Sequence, residues 1–280
     1  MSNDHNDHLI VNYHDAAVYQ SDLNLLLGRS KWLNDACINF GMTHLAVHKK
    51  TNDGEDERSP FRMEFLDPSV ISYFMHQLSL DDECDIDELR NLYSIWGLST
   101  PLTSEELSRD YRILHMLFLP INDNNSTGFG SGVLNTSDGN HWSFLLAVIV
   151  NGNNVNAQFF HFDSSAGYNH QSAIAVSKRI RDIIIVGSSK PIDDVNVIEC
   201  QVPQQVNGYD CGLHTLVTAE VVSRAIDCQA IDLMTKNDTI SFKKGIEEKV
   251  NTFMGKFGST CEMGKEARAK LARNIALARE

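Results

Sequence analysis

Pro203-Gln204-Gln205-Val206-Asn207-Gly208-Tyr209-Asp210-Cys211-Gly212 decides the fold, because a polar turn here runs directly into the apolar series Leu213, Leu216, Val217, Ala219, Val221 and Val222. Asn207 to Asp210 is turn chemistry, and the spacing that follows predicts a helix over 211–226. Cys211 therefore falls at a helix N-terminus, where unpaired backbone N–H groups and the macrodipole favour the thiolate. The other cysteines, Cys37, Cys84, Cys200, Cys228 and Cys261, are not so placed, and Cys37 and Cys228 read as inert small hydrophobes. The six form no CxxC, zinc-knuckle or disulfide-scaffold spacing, which suits a reducing compartment.

A nucleophile needs a base, and the base needs a group that orients its ring. Upstream, Arg112 to Pro120 is a short apolar run that reads as a buried strand. Trp142 to Val150 and Gln158 to Asp163, joined by Asn151-Gly152-Asn153-Asn154, read as a hairpin. His141 opens one strand and Asp163 closes its partner, ends that antiparallel pairing brings together. His161, on the same strand face as Asp163, is a rival base, and His115 and His214 are others.

The remaining chain is read more coarsely. Trp32 to Val47 predicts a helix capped by Asn34 or Asp35, Lys49 to Pro60 a polar loop, and Pro68 to Leu80 a second helix started by Asp67-Pro68. The acidic run from Asp81 reads as a helix start, and Leu89 to Tyr111 as two short helices broken at Thr100-Pro101. Ile121 to Asn140 is a long polar loop, Ala173 to Ile185 a helix, Val195 to Cys200 a strand, and Lys265 to Ala278 an Ala-rich helix. Domain boundaries are expected at a flexible tail over 1–8, one catalytic domain over 9–260 and a C-terminal helix over 261–280. His5 and His8 belong to the tail.

Composition narrows the function classes. The 280 residues are 42% hydrophobic, enough for a full core, and 24 Lys and Arg against 37 Asp and Glu leave a net charge of −13. An acidic chain with scattered cations repels phosphate backbones, so nucleic acid is not an expected partner. The N-terminus lacks the basic and apolar pattern of a secretory signal, and no apolar run approaches the roughly 18 residues of a membrane span. A soluble intracellular protein is expected.

Five segments, in order, carry a specific likeness. Trp32-Leu33-Asn34-Asp35, Phe118-Leu119-Pro120-Ile121-Asn122-Asp123-Asn124, His141-Trp142-Ser143, Phe159-Phe160-His161-Phe162-Asp163-Ser164 and Pro203 to Gly212 together resemble the Ulp/sentrin-specific cysteine proteases, over about Leu23 to Ser223. The second and fourth look most like the subfamily acting on the NEDD-type (Rub) ubiquitin-like modifier. The resemblance implies an α+β, papain-like fold: a central helix bearing the nucleophile, packed on a mainly antiparallel sheet. It implies Cys211 as nucleophile, His141 as base, Asp163 as orienting carboxylate and Gln205 as an oxyanion-hole donor. It also implies Trp32 and Trp142 as aromatics closing over the modifier's Gly-Gly tail, and Asp35 as a contact to the tail region. A monomeric deneddylase without metal or cofactor follows, cytoplasmic or nuclear, cleaving NEDD-type conjugates, with cullins among the conjugated proteins. A SUMO-specific protease and a modifier-binding module with an inactive site are the alternatives. The connections 80–112, 122–140 and 141–163 look longer than the family pattern.

Overall fold

The computed structural model describes residues 7–28, 30–53, 61–96, 98, 113–126, 140–151, 155–189, 195–226 and 238–279. The expected break at Thr100-Pro101, most of the 122–140 loop, the 152–154 turn, Cys228, His5 and the rest of the tail through residue 6 lie outside the described residues.

A two-stranded ribbon, β1 (Leu9–Tyr13) and β2 (Ala16–Tyr19), leads into helix α1 (Gln20–Leu27). Helix α2 (Asp35–Asp53) follows, capped by Asn34, whose Oδ1 accepts the Cys37 N–H at 3.2 Å. Asp35 is therefore the first helical residue rather than the cap. The helix continues through Lys49 to Asp53, part of the expected polar loop, since lysines there are good helix formers. Asp67 caps α3 (Pro68–His76) through the Ser69 N–H, and Asp82 caps α4 (Glu83–Ile95) through the Cys84 N–H, as the sequence signals require.

The main sheet has the order β3-β4-β5-β6-β7: β3 (Phe61–Phe65), β4 (Ile113–Asn122), β5 (Trp142–Asn151), β6 (Asn156–Phe162) and β7 (Val197–Cys200). Its three central strands are antiparallel, and each edge strand runs parallel to its neighbour. Both faces are covered. Met116, Phe118, Phe144, Leu146 and Phe160 face one core, and Leu117, Leu119, Leu145, Ile149 and Phe159 face the other. This two-sided burial explains why the central strands read as continuous apolar runs rather than alternating ones. The long span from His141 to Asp163 comes largely from long strands, paired from Phe144↔Phe162 to Val150↔Asn156.

Helix α5 (His170–Ser188) covers the second face with α3 and α4. Helix α6 (Cys211–Ala225) lies in the first core and is buried along Cys211 to Ser223. Around it pack α2, α7 (Thr239–Gly255) and α8 (Thr260–Leu277), whose Phe242, Ile246, Val250, Met263, Leu271 and Ile275 belong to the same core. This is the α+β arrangement of a central helix on a largely antiparallel sheet. Among the described residues, no helix is long and apolar enough to cross a membrane.

The cores enclose two histidines at a cost that depends on pH. His115 on β4 and His214 on α6 are buried, and neither ring has a hydrogen-bond partner. Burial pushes both from 6.5 down to about 4, aided at His115 by Arg62 and at His214 by the charge of His141 against an opposing Asp210. Between these values the unfolded chain binds protons that the native chain refuses, so stability is lost as pH falls through that window. Urea unfolding across this range should show a decline of a few kcal/mol, and His115→Leu should remove roughly 1–3 kcal/mol of that dependence. An unchanged pH slope in the variant would contradict this account.

Candidate active site

The site forms where the β5–β6 hairpin meets the start of α6. The register Phe144↔Phe162 places His141 and Asp163 at the same end of the pair, and His141 Nε2 donates to Asp163 Oδ1 at 2.6 Å. The Cys211 side chain lies close enough to the imidazole to act on its titration. Thiol, imidazole and carboxylate are all buried.

Burial alone would depress the His141 pKa, but the hydrogen bond to Asp163, the Asp163 charge and the neighbouring Cys211 outweigh it and raise it to about 9. Burial likewise opposes the Asp163 charge. Hydrogen bonds from His141 and from the Asn169 and Ser165 N–H groups nevertheless hold this carboxyl below the ordinary carboxylate range. By contrast, burial and the nearby Asp22 charge push the Cys37 thiol up to about 12, and burial raises Cys200 further. Those two thiols are kept protonated.

Rival bases are accounted for by their partners. His161 is enclosed between the Glu199 carboxylate, at 2.9 Å, and Ser143 Oγ, also at 2.9 Å. His115 and His214 have no carboxylate to orient them.

The turn before Cys211 is built by its own side chains. Asn207 Oδ1 accepts from the Tyr209 and Asp210 N–H groups, and Asn207 Nδ2 donates to Asp210 Oδ2. Gly212 lets α2 approach closely: a Cβ there would lie 3.0 Å from Ile38 Cδ1 and 3.2 Å from Leu33 Cβ. Gln205 is fixed at both ends of its amide, accepting from Ser164 Oγ at 2.8 Å and donating to the Asn207 carbonyl at 2.7 Å.

The two tryptophans have different surroundings. Trp142 is only 5% exposed, packs in the first core and donates through Nε1 to the Leu33 carbonyl at 2.9 Å. Trp32 is 47% exposed and donates to the Gly208 carbonyl, bridging the entry to α2 and the turn before Cys211. Asp35 sits half-buried at the start of α2. Among the described residues, no group of three or more His, Cys, Asp or Glu is placed to hold a metal ion.

Several supporting residues escape sequence reasoning. Asn169 is buried; its backbone N–H donates to Asp163 Oδ2, and its side chain donates to the His141 carbonyl and to Ser143 Oγ, both at 3.0 Å. Tyr168 lays its ring 4.8 Å from the His141 ring, centroid to centroid. Both lie in the polar stretch after β6, which carries no periodic signal.

A cysteine at a helix N-terminus, near an imidazole held by a buried carboxylate, is an arrangement able to support thiol peptidase chemistry. The chain belongs to the Ulp1 protease family, whose C-terminal catalytic domain matches residues 31–256. It is 28% identical over 241 residues to the "Probable sentrin-specific protease 8" of Dictyostelium discoideum, covering 85% of this chain and 84% of that protein. It is 30% identical over 225 residues to the "NEDD8-specific protease 1" of Arabidopsis thaliana, covering 79% and 78%. A solved structure described as a de-sumoylating protease superposes with a TM-score of 0.55 over 94% of this chain and 86% of that one, at 18% identity, a likeness of fold.

Asn169 is the test of how the site is supported. Asn169→Ala should lower stability by roughly 1–3 kcal/mol, because the His141 carbonyl and Ser143 hydroxyl lose a buried donor. Urea unfolding checks this, and a variant as stable as the parent would show that these bonds carry no net weight.

Proposed function

We propose that the protein is a thiol isopeptidase that cleaves after the C-terminal Gly-Gly of a NEDD-type ubiquitin-like modifier, in precursor processing, deconjugation or both. The observation that carries the chemistry is the buried His141–Asp163 bond beside Cys211 at the start of α6. The modifier assignment rests on the FLPINDN and FFHFDS segments and on a relative named as NEDD8-specific. A sentrin-type (SUMO) protease is the second reading, favoured by the relatives named sentrin-specific. The cytoplasm or nucleus, and conjugates that include cullins, are the setting that goes with the first reading.

His141, raised to about 9, takes the Cys211 proton as base. Cys211 Sγ attacks the terminal glycine carbonyl, and the resulting oxyanion is met by the Cys211 N–H and by Gln205, whose amide is already oriented by Ser164 and Asn207. The imidazolium then gives its proton to the leaving amine as the C–N bond breaks. Water, deprotonated by the neutral imidazole, cleaves the thioester and regenerates the thiol. Trp32 and Trp142 flank the glycine tail in this reading, and Asp35 contacts its approach. A tail without side chains suits such a passage.

Covalent capture tests the reading. NEDD-type, SUMO and ubiquitin probes bearing a C-terminal electrophile should be compared; the NEDD-type probe should label the native protein fastest, and Cys211→Ala should not be labelled. Preferential labelling by SUMO would select the second reading, and binding without any adduct would select a non-catalytic modifier binder.

The pH profile supplies a separate test. Because protonated His141 is the acid, kcat/KM should fall as pH rises through about 9. Asp163→Asn removes the charge that holds the proton, so the alkaline limb should move to lower pH and the maximum should drop by about a hundredfold or more. An alkaline limb unmoved by that substitution would remove Asp163 from its assigned role.

A further inference from the structure

We propose that Arg268, on the C-terminal helix α8, is a positioning residue that fixes the turn carrying Cys211; this rests on the peptidase reading above. Arg268 lies outside the residues that match the family domain and is 9% exposed. Its guanidinium donates to Asp210 Oδ1 through Nη2 at 3.0 Å and to the Lys31 carbonyl at 2.6 Å. Longer bonds reach the carbonyls of Leu25, Leu26 and Tyr209, each at 3.4 Å, and the guanidinium sits 5.9 Å from the centre of the Tyr209 ring.

These partners are the two strands of chain that frame the nucleophile. Asp210 and Tyr209 immediately precede Cys211, and Lys31 immediately precedes Trp32, which itself bonds the Gly208 carbonyl. One planar cation with five N–H donors thus ties the turn before Cys211 to the segment before Trp32, and a single ammonium lacks the geometry to serve all these carbonyls. The Asp210 carboxylate is occupied on its other oxygen by Asn207 Nδ2, so the turn's internal bonds and the α8 contact share one anchor.

A close approach shows that α8 is fitted to this contact. Gly264, one helical turn before Arg268, packs so closely that a Cβ would stand 2.4 Å from Asp210 Oδ2. Beside Arg268, an open pocket of about 650 Å³ is lined by Leu26, Leu27, Tyr209, Lys265 and Ala269. Hydrogen bonds from Arg268 hold the turn at this point. Loss of them lets the Cys211 N–H and thiol drift relative to His141 and Gln205, and a displacement near an ångström in such a site costs about a hundredfold in rate.

The test compares native protein, Arg268→Gln, Arg268→Lys and Gly264→Ala, each measured below its own unfolding midpoint and normalised to folded protein, with Cys211→Ala as the blank. The substrate is the modifier probe the native protein cleaves best, with a fluorescent leaving group. Arg268→Gln should lose about tenfold to a hundredfold in kcat, with KM within about threefold of the native value. Arg268→Lys should recover part of the loss through its charge on Asp210, and Gly264→Ala should repeat the kcat defect without touching the arginine. If Arg268→Gln does not fold, Arg268→Lys and Gly264→Ala decide: kcat within twofold of native in both overturns the proposal. A fall in unfolding temperature with normal kcat per folded molecule overturns it as well, leaving a purely structural staple. An inactive native protein would overturn the peptidase reading and this inference together, whereas an active native protein with unaffected variants overturns this inference alone.

Discussion

The antiparallel register of β5 against β6 is the constraint on which the site depends. Side chains alternate faces along a strand, and both faces of β5 are buried, so a slip of one residue would exchange Phe144 and Leu146 with Leu145 and Ala147 between two differently shaped cores. The register is therefore held by the packing of the whole sheet. His141 and Asp163 inherit that rigidity, since they sit just beyond the last paired residues of this hairpin. The 2.6 Å bond between them needs no flexible loop to find its geometry.

Electrostatics then differentiates groups of the same kind. Six cysteines and several buried histidines share one chain; a carboxylate fed by three hydrogen bonds faces His141 and drives that imidazole toward its charged form. His115 and His214, equally buried but unpartnered, are driven the other way. At the Cys37 thiol, desolvation and the nearby Asp22 charge suppress ionisation. Chemical identity is supplied by residue type, and chemical state by what each group meets after folding.

The readable part of the sequence was the part with local physics. The caps at Asp67 and Asp82, the apolar runs of β4 and β5, and a cysteine after turn residues all announce themselves within a few positions. His141 and Asp163 were legible because a hairpin is the one long-range pairing that adjacent strands imply. Asn169 and Arg268 were not, since their partners lie up to 243 residues away and neither sits in a pattern that marks it. Trp142 shows an intermediate case: its type and burial read as core, and only its bond to the Leu33 carbonyl reveals that it also holds the entry to α2. The polar loop expected from Lys49 failed at its start because helix propensity continued past the point where apolar periodicity stopped.

The sequence distance spanned by these contacts has a consequence for the order of events as the chain is made. The hairpin bearing His141 and Asp163 closes over a short loop and can form while synthesis continues. Cys211 emerges later, and Arg268, which ties Leu25 and Lys31 to the turn beside it, later still. Loop-closure entropy makes such distant contacts late ones, so the segment from Leu25 to Lys31 waits for α8 before its final position is fixed. The thiol is thereby completed as a site only in a molecule that is already folded, and a nascent chain stalled before α8 would carry the reactive groups without the frame that aligns them.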